Sequence, residues 1–316
     1  MKSELRIKGI MLVIIAAMLW GVSGTVAQYL FQEKEFTTEW LVVIRLLVSG
    51  IILLLYSSIK GKQEILEIWK SKDDRLKLIL FSLIGMIGIQ YTYFAAIKYG
   101  NAATATILQY LSPVIITCYL AVRTKKVPNL QEIIAIILAI SGTFLIITKG
   151  NIHSISISKL ALFWGISSAF AAAFYTLQPL SLLKKWGSVP VVGWGMLIGG
   201  IAFSFIHQPW NCNGQWSVTS ILGIIFVVLF GTLIAFTCFL ESLKYIKPTE
   251  SSILSSAEPL SAAILSVVWL HEQLGIAEWL GTAFIIITII ILSYAKRAEK
   301  PKEVEEIVYD MDSKYQ

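Results

Sequence analysis

Glu258 and Arg45 are ionisable residues set deep in apolar surroundings. Glu258 lies eight positions into the apolar block 250–270, and Arg45 about six residues into the block 39–59. At ~1.5 Å per helical residue Glu258 sits about 12 Å deep, near the middle of a hydrocarbon layer ~30 Å thick. An ionised group there costs about 2.5–3.5 kcal/mol on insertion scales, so such residues face a cavity or a partner. Glu258 can carry a proton or hold a cation. Arg45 can attract a carboxylate, or pair with Glu258 or another acid. The structural alternatives are a protonated Glu bonded between helices and an Arg reaching helix-end carbonyls.

The stretch around Glu258 occurs twice. Moved by 146 positions, Ala102 to Pro113 (AATATILQYLSP) falls without a gap on Pro248 to Pro259 (PTESSILSSAEP). Ile107-Leu108 then matches Ile253-Leu254, Pro113 matches Pro259, and Gln109 and Ser112 match Ser255 and Glu258. Each is an i, i+3 pair sharing one helix face a turn before a proline. Thr106, Gln109 and Ser112 with Ser252, Ser255 and Glu258 are therefore a candidate pore lining, although small hydroxylated residues also serve helix packing in membranes.

The elements that position these residues are apolar helices. Of 316 residues, 56% are hydrophobic and only 15% charged, with mean hydropathy +0.72, whereas ordinary soluble domains carry roughly 25% charged residues. Ten apolar blocks are expected, at 10–31, 39–59, 76–97, 102–122, 130–148, 160–182, 189–206, 218–242, 250–270 and 276–295. The first is too long for a signal-peptide core and reads as a retained span. The predicted fold is thus all-α integral membrane, with ten transmembrane helices in two inverted five-helix repeats.

Charge gives the orientation. With a cytoplasmic N-terminus, 21 Lys and Arg residues fall on the inner side and four (Lys34, Lys98, Lys149, Lys159) on the outer, Arg45 lying within a span. Both termini are therefore expected in the cytoplasm. The net charge of +6 resides in short loops and signals topology, not nucleic-acid binding. Five spans per half is an odd number, so the two copies enter the membrane from opposite sides. Secondary transporters commonly use such inverted repeats, with the substrate near the midplane at their interface.

Aromatic groups in other spans, namely Trp20, Tyr91 and Tyr175, can shape a cavity or face a cation, or simply pack. Spans three and eight add Gly85, Gly88, Gln90 and Tyr93, then Gly231, Thr232 and Thr237. Enzyme signatures are weak. Gly21-Val22-Ser23-Gly24 has the form of an intramembrane serine protease motif, but His153, His207 and His271 all fall in loops or at span ends. His271-Glu272 lacks the second His of a zincin, no Walker loop is present, and Cys118, Cys212 and Cys238 lack metal or disulfide spacing. No cofactor or metal is expected.

Residues 95–113, AAIKYGNAATATILQYLSP, and their counterpart SLKYIKPTESSILSSAEPLSAAILSVVWLHEQL resemble the two domains of the EamA-type transporters of the drug/metabolite transporter superfamily. AAMLWG in the first span and Arg45 in the second fit the usual beginning of the first domain. The likeness runs from about Lys8 to Lys296, giving repeats over 8–148 and 160–296 and a charged cytoplasmic tail over 298–316. One departure is that Glu272, after span nine, has Lys126 at the matching place after span four. The resemblance implies an inner-membrane carrier with a cavity walled by spans one, three, four, six, eight and nine, the fifth and tenth lying outside. Family members handle amino acids, organic acids, amines, purines and drugs, so the fold alone names no substrate.

The expected function is a secondary transporter of small polar or amphipathic metabolites working by alternating access. Gln109, Tyr110 and Ser112 would contribute from one repeat and Ser255 and Glu258 from the other, with Trp20, Tyr91, Tyr175 and Arg45 around them. The expected partners are a small-molecule substrate and the lipid bilayer, with two alternatives for coupling, protons through Glu258 or none (facilitated exchange), and the chain is a monomer or homodimer. The competing expectations are a multidrug or organic-cation exporter coupled to protons through Glu258 and, more remotely, a hydrolase built on Ser23.

Overall fold

The computed structural model describes residues 2–59, 65–125, 127–151, 156–242, 245–246 and 254–298. Lys126, His153, Lys244, Lys247, Ser252 and tail residues 299–316 lie outside the described residues. Regular structure among the described residues is helical throughout, because a backbone in hydrocarbon must satisfy its own N–H and C=O groups. The first half comprises α1 (Lys2–Gln32), α2 (Thr38–Ile59), α3 (Lys72–Leu80), α4 (Ile87–Tyr99), α5 (Ala102–Gln109), α6 (Ser112–Thr124) and α7 (Leu130–Thr148). The second comprises α8 (Lys159–Leu177), α9 (Leu180–Trp186), α10 (Ser188–Ser204), α11 (Val218–Ile225), α12 (Ala235–Ser242), α13 (Ala257–Val268) and α14 (Ile276–Ala298).

Among the described residues, seven helices are long and apolar enough to cross a membrane, and three shorter ones (Ser188–Ser204, Ala257–Val268 and Ile276–Leu292) are apolar as well. Together they fall on the ten apolar blocks. The block 160–182 is not one uninterrupted helix, because α8 stops at Leu177 and Pro179, without an N–H, caps the separate α9. Polar side chains start several helices: Asn101 accepts the Thr104 N–H before α5, Ser158 that of Ala161 before α8, and Asn129 forms a capping box with Glu132 before α7.

The duplication extends to backbone irregularities. A π-helical segment, Phe81–Met86, joins α3 to α4, and another, Phe226–Ile234, joins α11 to α12. Moving the first by 146 positions places it inside the second. Contacts also exchange between the copies: α1 lies on α12 and α13, while its counterpart α8 lies on α4 and α5. Equivalent helices meet as pairs, α2 with α10 and α7 with α14.

Glycines make those pairings close. A Cβ on Gly50 would stand 2.6 Å from the Leu197 nitrogen, and one on Gly200 would stand 2.9 Å from the Leu47 nitrogen. The contact is reciprocal in one register, since 47 and 50 match 197 and 200. At the second pair, a Cβ on Gly142 would reach the Gly281 carbonyl at 2.8 Å, and one on Gly281 the Gly142 carbonyl at 2.6 Å. Without a hydrophobic drive between helices in lipid, such close approach is the main source of association. The α7–α14 pair forms a separate apolar cluster around Ile107, Ala135, Ala139, Ile146 and Ile285, apart from the main core.

Candidate functional site

Pro113 and Pro259 each remove a helical N–H and push away the carbonyl four residues earlier, which belongs to Gln109 and Ser255 respectively. The chain breaks at these places, with turns at residues 110–111 and 255–256. In the second copy the Ser255 carbonyl accepts the Glu258 N–H at 3.0 Å. It also accepts the Tyr110 hydroxyl of the first copy, at 2.9 Å. The same hydroxyl lies 2.9 Å from Glu258 Oε2, so one phenolic proton is shared between a freed carbonyl and a carboxyl group. Glu258 Oε1 has no hydrogen-bond partner among the described residues.

Helix α1 crosses this junction closely. Gly21 lies against the Glu258 carbonyl and Ser261, Gly24 lies under the Tyr93 hydroxyl, and Ser23 lies against Gly231. The GVSG sequence is thus a packing surface. Ser23 Oγ is buried and has no hydrogen-bond partner among the described residues, so no described histidine activates it. Of the described histidines, His207 contacts its own loop at the Asn211 carbonyl, and His271 lies in the loop three residues past α13, in the left-handed region at φ 55°.

Arg45 is buried at 7% exposure. Its Nε donates to Thr232 Oγ1 at 2.7 Å and Nη2 to the Gly231 carbonyl at 3.3 Å, both in the second π segment. Its guanidinium lies over the Phe94 ring, 5.1 Å from the centroid. Among the described residues, however, no ion pair joins it to Glu258. Tyr93 and Thr106 share a 2.8 Å hydroxyl contact between α4 and α5.

The structure therefore gathers Tyr110, Ser255 and Glu258 at one junction, while Arg45 bonds the second π segment and Tyr175 packs on Phe81 with ring centroids 5.4 Å apart. Gln109 and Ser112 flank the first helix break, partly exposed, without side-chain hydrogen bonds among the described residues. Trp20 packs instead on Phe236 and Phe239, with centroids 5.6 and 5.5 Å away. Tyr91 donates to Glu39 at 3.1 Å and packs on Trp164 and Phe203. A separate groove of 380 Å³, lined by Val26, Tyr29, Leu222, Phe226 and Trp269 among others, shares none of these residues and has no charged group in its wall.

Sequence reasoning missed Gln28. Its side chain, 1% exposed, accepts the Ala102 N–H at 2.8 Å and donates to Glu272 at 2.7 Å and Gln32 at 3.0 Å. The available signal was a pair of glutamines one helical turn apart at the end of an apolar block.

Apolar helices in two copies, broken at equivalent prolines around buried polar groups, define a membrane transport protein. The sequence matches the EamA-like transporter family twice, over residues 7–148 and 159–294, and the chain belongs to that family. It is 41% identical over 290 residues to the uncharacterized inner membrane transporter YicL of Salmonella typhimurium, covering 92% of this chain and 96% of that one. It is 28% identical over 299 residues to the uncharacterized transporter YwfM of Bacillus subtilis, covering 92% and 95%. A solved crystal structure shares the fold at TM-score 0.61 and 15% identity, covering 92% of this chain and 99% of that chain.

Proposed function

We propose that the protein is a secondary transporter that moves small polar or amphipathic metabolites (amino acids, organic acids or amines) across the cytoplasmic membrane by alternating access. The seven long and three shorter apolar helices make ten crossings, in two five-span halves of opposite orientation with both termini cytoplasmic. The halves rock about a midplane site, and protons are the coupling ion through Glu258. The observation that carries this reading is the Tyr110 bridge to Ser255 and Glu258. It places a polar junction between two broken helices, the arrangement by which transporters expose backbone carbonyls to a solute at membrane depth.

The test is access from both sides. Ser255→Cys, in a background lacking Cys118, Cys212 and Cys238, is reconstituted in vesicles and treated with a membrane-impermeant thiol reagent from either face. Labelling from both faces supports alternating access, and labelling from one face only refutes it. An organic-cation exporter is the second reading, favoured by the carboxyl group of Glu258 and the aromatic cluster of Trp20, Phe236 and Phe239. The fixed cation of Arg45 in the same interior weighs against it.

A further inference from the structure

The apolar groove between α1, α11 and the end of α13 opens on the outside of the bundle. Its wall residues Leu222 and Trp269 are 60% and 43% exposed, while Val26 behind them is buried. Polarity is ordered along its length. At one end the Tyr29 hydroxyl and Thr219 Oγ1 bond each other at 3.1 Å, and Lys34 Nζ stands over the Tyr29 ring, 5.6 Å from its centroid. Trp269 stacks on the same ring with centroids 5.7 Å apart. From Thr219 the wall runs through Leu222 and Gly223 to Phe226, about 10 Å deeper into the apolar block.

The other copy is built differently at the same places. A shift of 146 positions carries Ser71 onto Ser217, each the cap of its helix. It also carries Asp73 onto Thr219, Lys77 onto Gly223 and Arg123 onto Trp269. In the first copy Lys77 and Asp73 pair at 2.9 Å, and Arg123 donates to Tyr119 at 3.0 Å. In the second, a hydroxyl, a bare backbone and an indole stand in place of all three charges. The sequence has thus made an uncharged recess where its repeat keeps a charged surface.

A recess open to the chains of a bilayer does not stand empty, because atoms facing a void lose their dispersion contacts. Water does not suit it, since its two hydroxyl groups bond each other and a buried water needs several polar partners. A hydrocarbon chain does suit it. At the polar end, Lys34 offers a cation to the phosphate that carries such a chain. No ion pair holds Lys34 among the described residues, and of the two acids beside it Glu35 accepts from Gln215 at 3.0 Å. We propose that the groove is a phospholipid site, with one acyl chain lying along Leu222, Gly223 and Phe226 and the phosphate at Lys34 Nζ. The assignment rests on the topology proposed above, which sets this end of α1 at the outer face, so the lipid belongs to the outer leaflet. Its chain packs on α1, α11 and the end of α13 at once and holds their outer ends together.

The experiment is photocrosslinking of the full chain in vesicles. The probe is a phospholipid with a diazirine midway along one chain, compared with a diacylglycerol of the same chains, and labelled peptides are mapped by mass spectrometry. Label at residues 222–226 should exceed label at Ile137 and Ile140 roughly tenfold, since those two lie exposed on α7 and report ordinary lipid contact. Gly223→Leu fills the recess and should cut groove label roughly tenfold while α7 label, the check on folding, holds. Lys34→Gln should lower the preference for phospholipid over diacylglycerol about fivefold, and Glu33→Gln should not lower it. Groove label no heavier than α7 label, equal label from the diacylglycerol, or unchanged label in a folded Gly223→Leu variant would each overturn the assignment. Complete absence of groove label would also overturn it and give the groove to a second copy of the chain. Lys34→Cys, in a background lacking Cys118, Cys212 and Cys238, tests the topology separately: labelling in intact cells by an impermeant thiol reagent keeps it standing when the lipid probes fail.

Discussion

The Tyr110 hydroxyl stands 2.9 Å from both the Ser255 carbonyl and Glu258 Oε2, so a residue at the helix break of the first copy bonds the helix break of the second. Pro259 has no N–H to offer the Ser255 carbonyl, which takes the Glu258 N–H and the Tyr110 hydroxyl instead. Tyr110→Phe keeps the ring and deletes the shared proton. The expected cost is about 1 kcal/mol in stability, typical of one hydrogen bond, with solute flux falling by roughly tenfold as the junction loses its fixed geometry. Flux in vesicles and a melting curve in detergent measure the two effects separately. Wild-type flux in this variant would show that the bridge has no part in transport.

Glu258→Gln separates the proton from the hydrogen bond. The amide oxygen can still accept from Tyr110, so the junction keeps its shape, but the side chain no longer titrates. The melting temperature should stay within a few degrees of wild type. Flux should lose its dependence on pH and on an imposed pH gradient. A variant that transports with unchanged rate and pH dependence would remove protons as the coupling ion.

How far the sequence discloses this arrangement depends on how local each signal is. Apolar run length located ten helical blocks, because backbone satisfaction in hydrocarbon leaves few alternatives. The doubled stretch ending at Pro113 and Pro259 was legible as a repeat, but 102–122 and 250–270 read as single spans, and the breaks at residues 110–111 and 255–256 appear only in the structure. Partners across the bundle were not legible. Arg45 was equally consistent with pairing to an acid, yet it bonds Thr232 and Gly231, whose availability depends on a π segment that composition does not announce. Trp20 and Tyr91 looked alike as apolar-block aromatics, but helix rotation turns one onto Phe236 and the other toward Glu39. Gln28 lacked any repeat or motif to single it out.

Gly142→Val tests the outer pairing of α7 and α14. A Cβ there already meets the Gly281 carbonyl at 2.8 Å and Phe284 Cβ at 3.0 Å, so the helices must separate. Overpacking of this kind costs about 1–3 kcal/mol. The melting temperature should fall while flux per folded molecule holds, because neither helix of this pair supplies a polar group to the Tyr110–Glu258 junction, Tyr110 touching the pair's cluster only by apolar packing. Loss of flux at an unchanged melting temperature would mean the pair takes part in the transport cycle.

Gln28 ties together the far ends of the two helices that meet at Tyr110 and Glu258. Its amide accepts the Ala102 N–H at the start of α5 and donates to Glu272, just beyond α13. The Glu272 N–H bonds back to the Ser266 carbonyl, so Glu272 is held to the end of α13. A rocking motion that parts α5 from α13 at this end must break the Gln28–Glu272 bond. Gln28→Leu should therefore favour the state open at this end, seen as faster thiol labelling of Ser255→Cys from that face and slower labelling from the other. Gln28→Glu should act more strongly, because it replaces the donor with a second carboxyl group facing Glu272. The double variant Gln28→Glu/Glu272→Gln restores a donor–acceptor pair of reversed direction and should return labelling toward wild type. A merely structural tie would lower the melting temperature in the single variants and leave the ratio of labelling from the two faces unchanged.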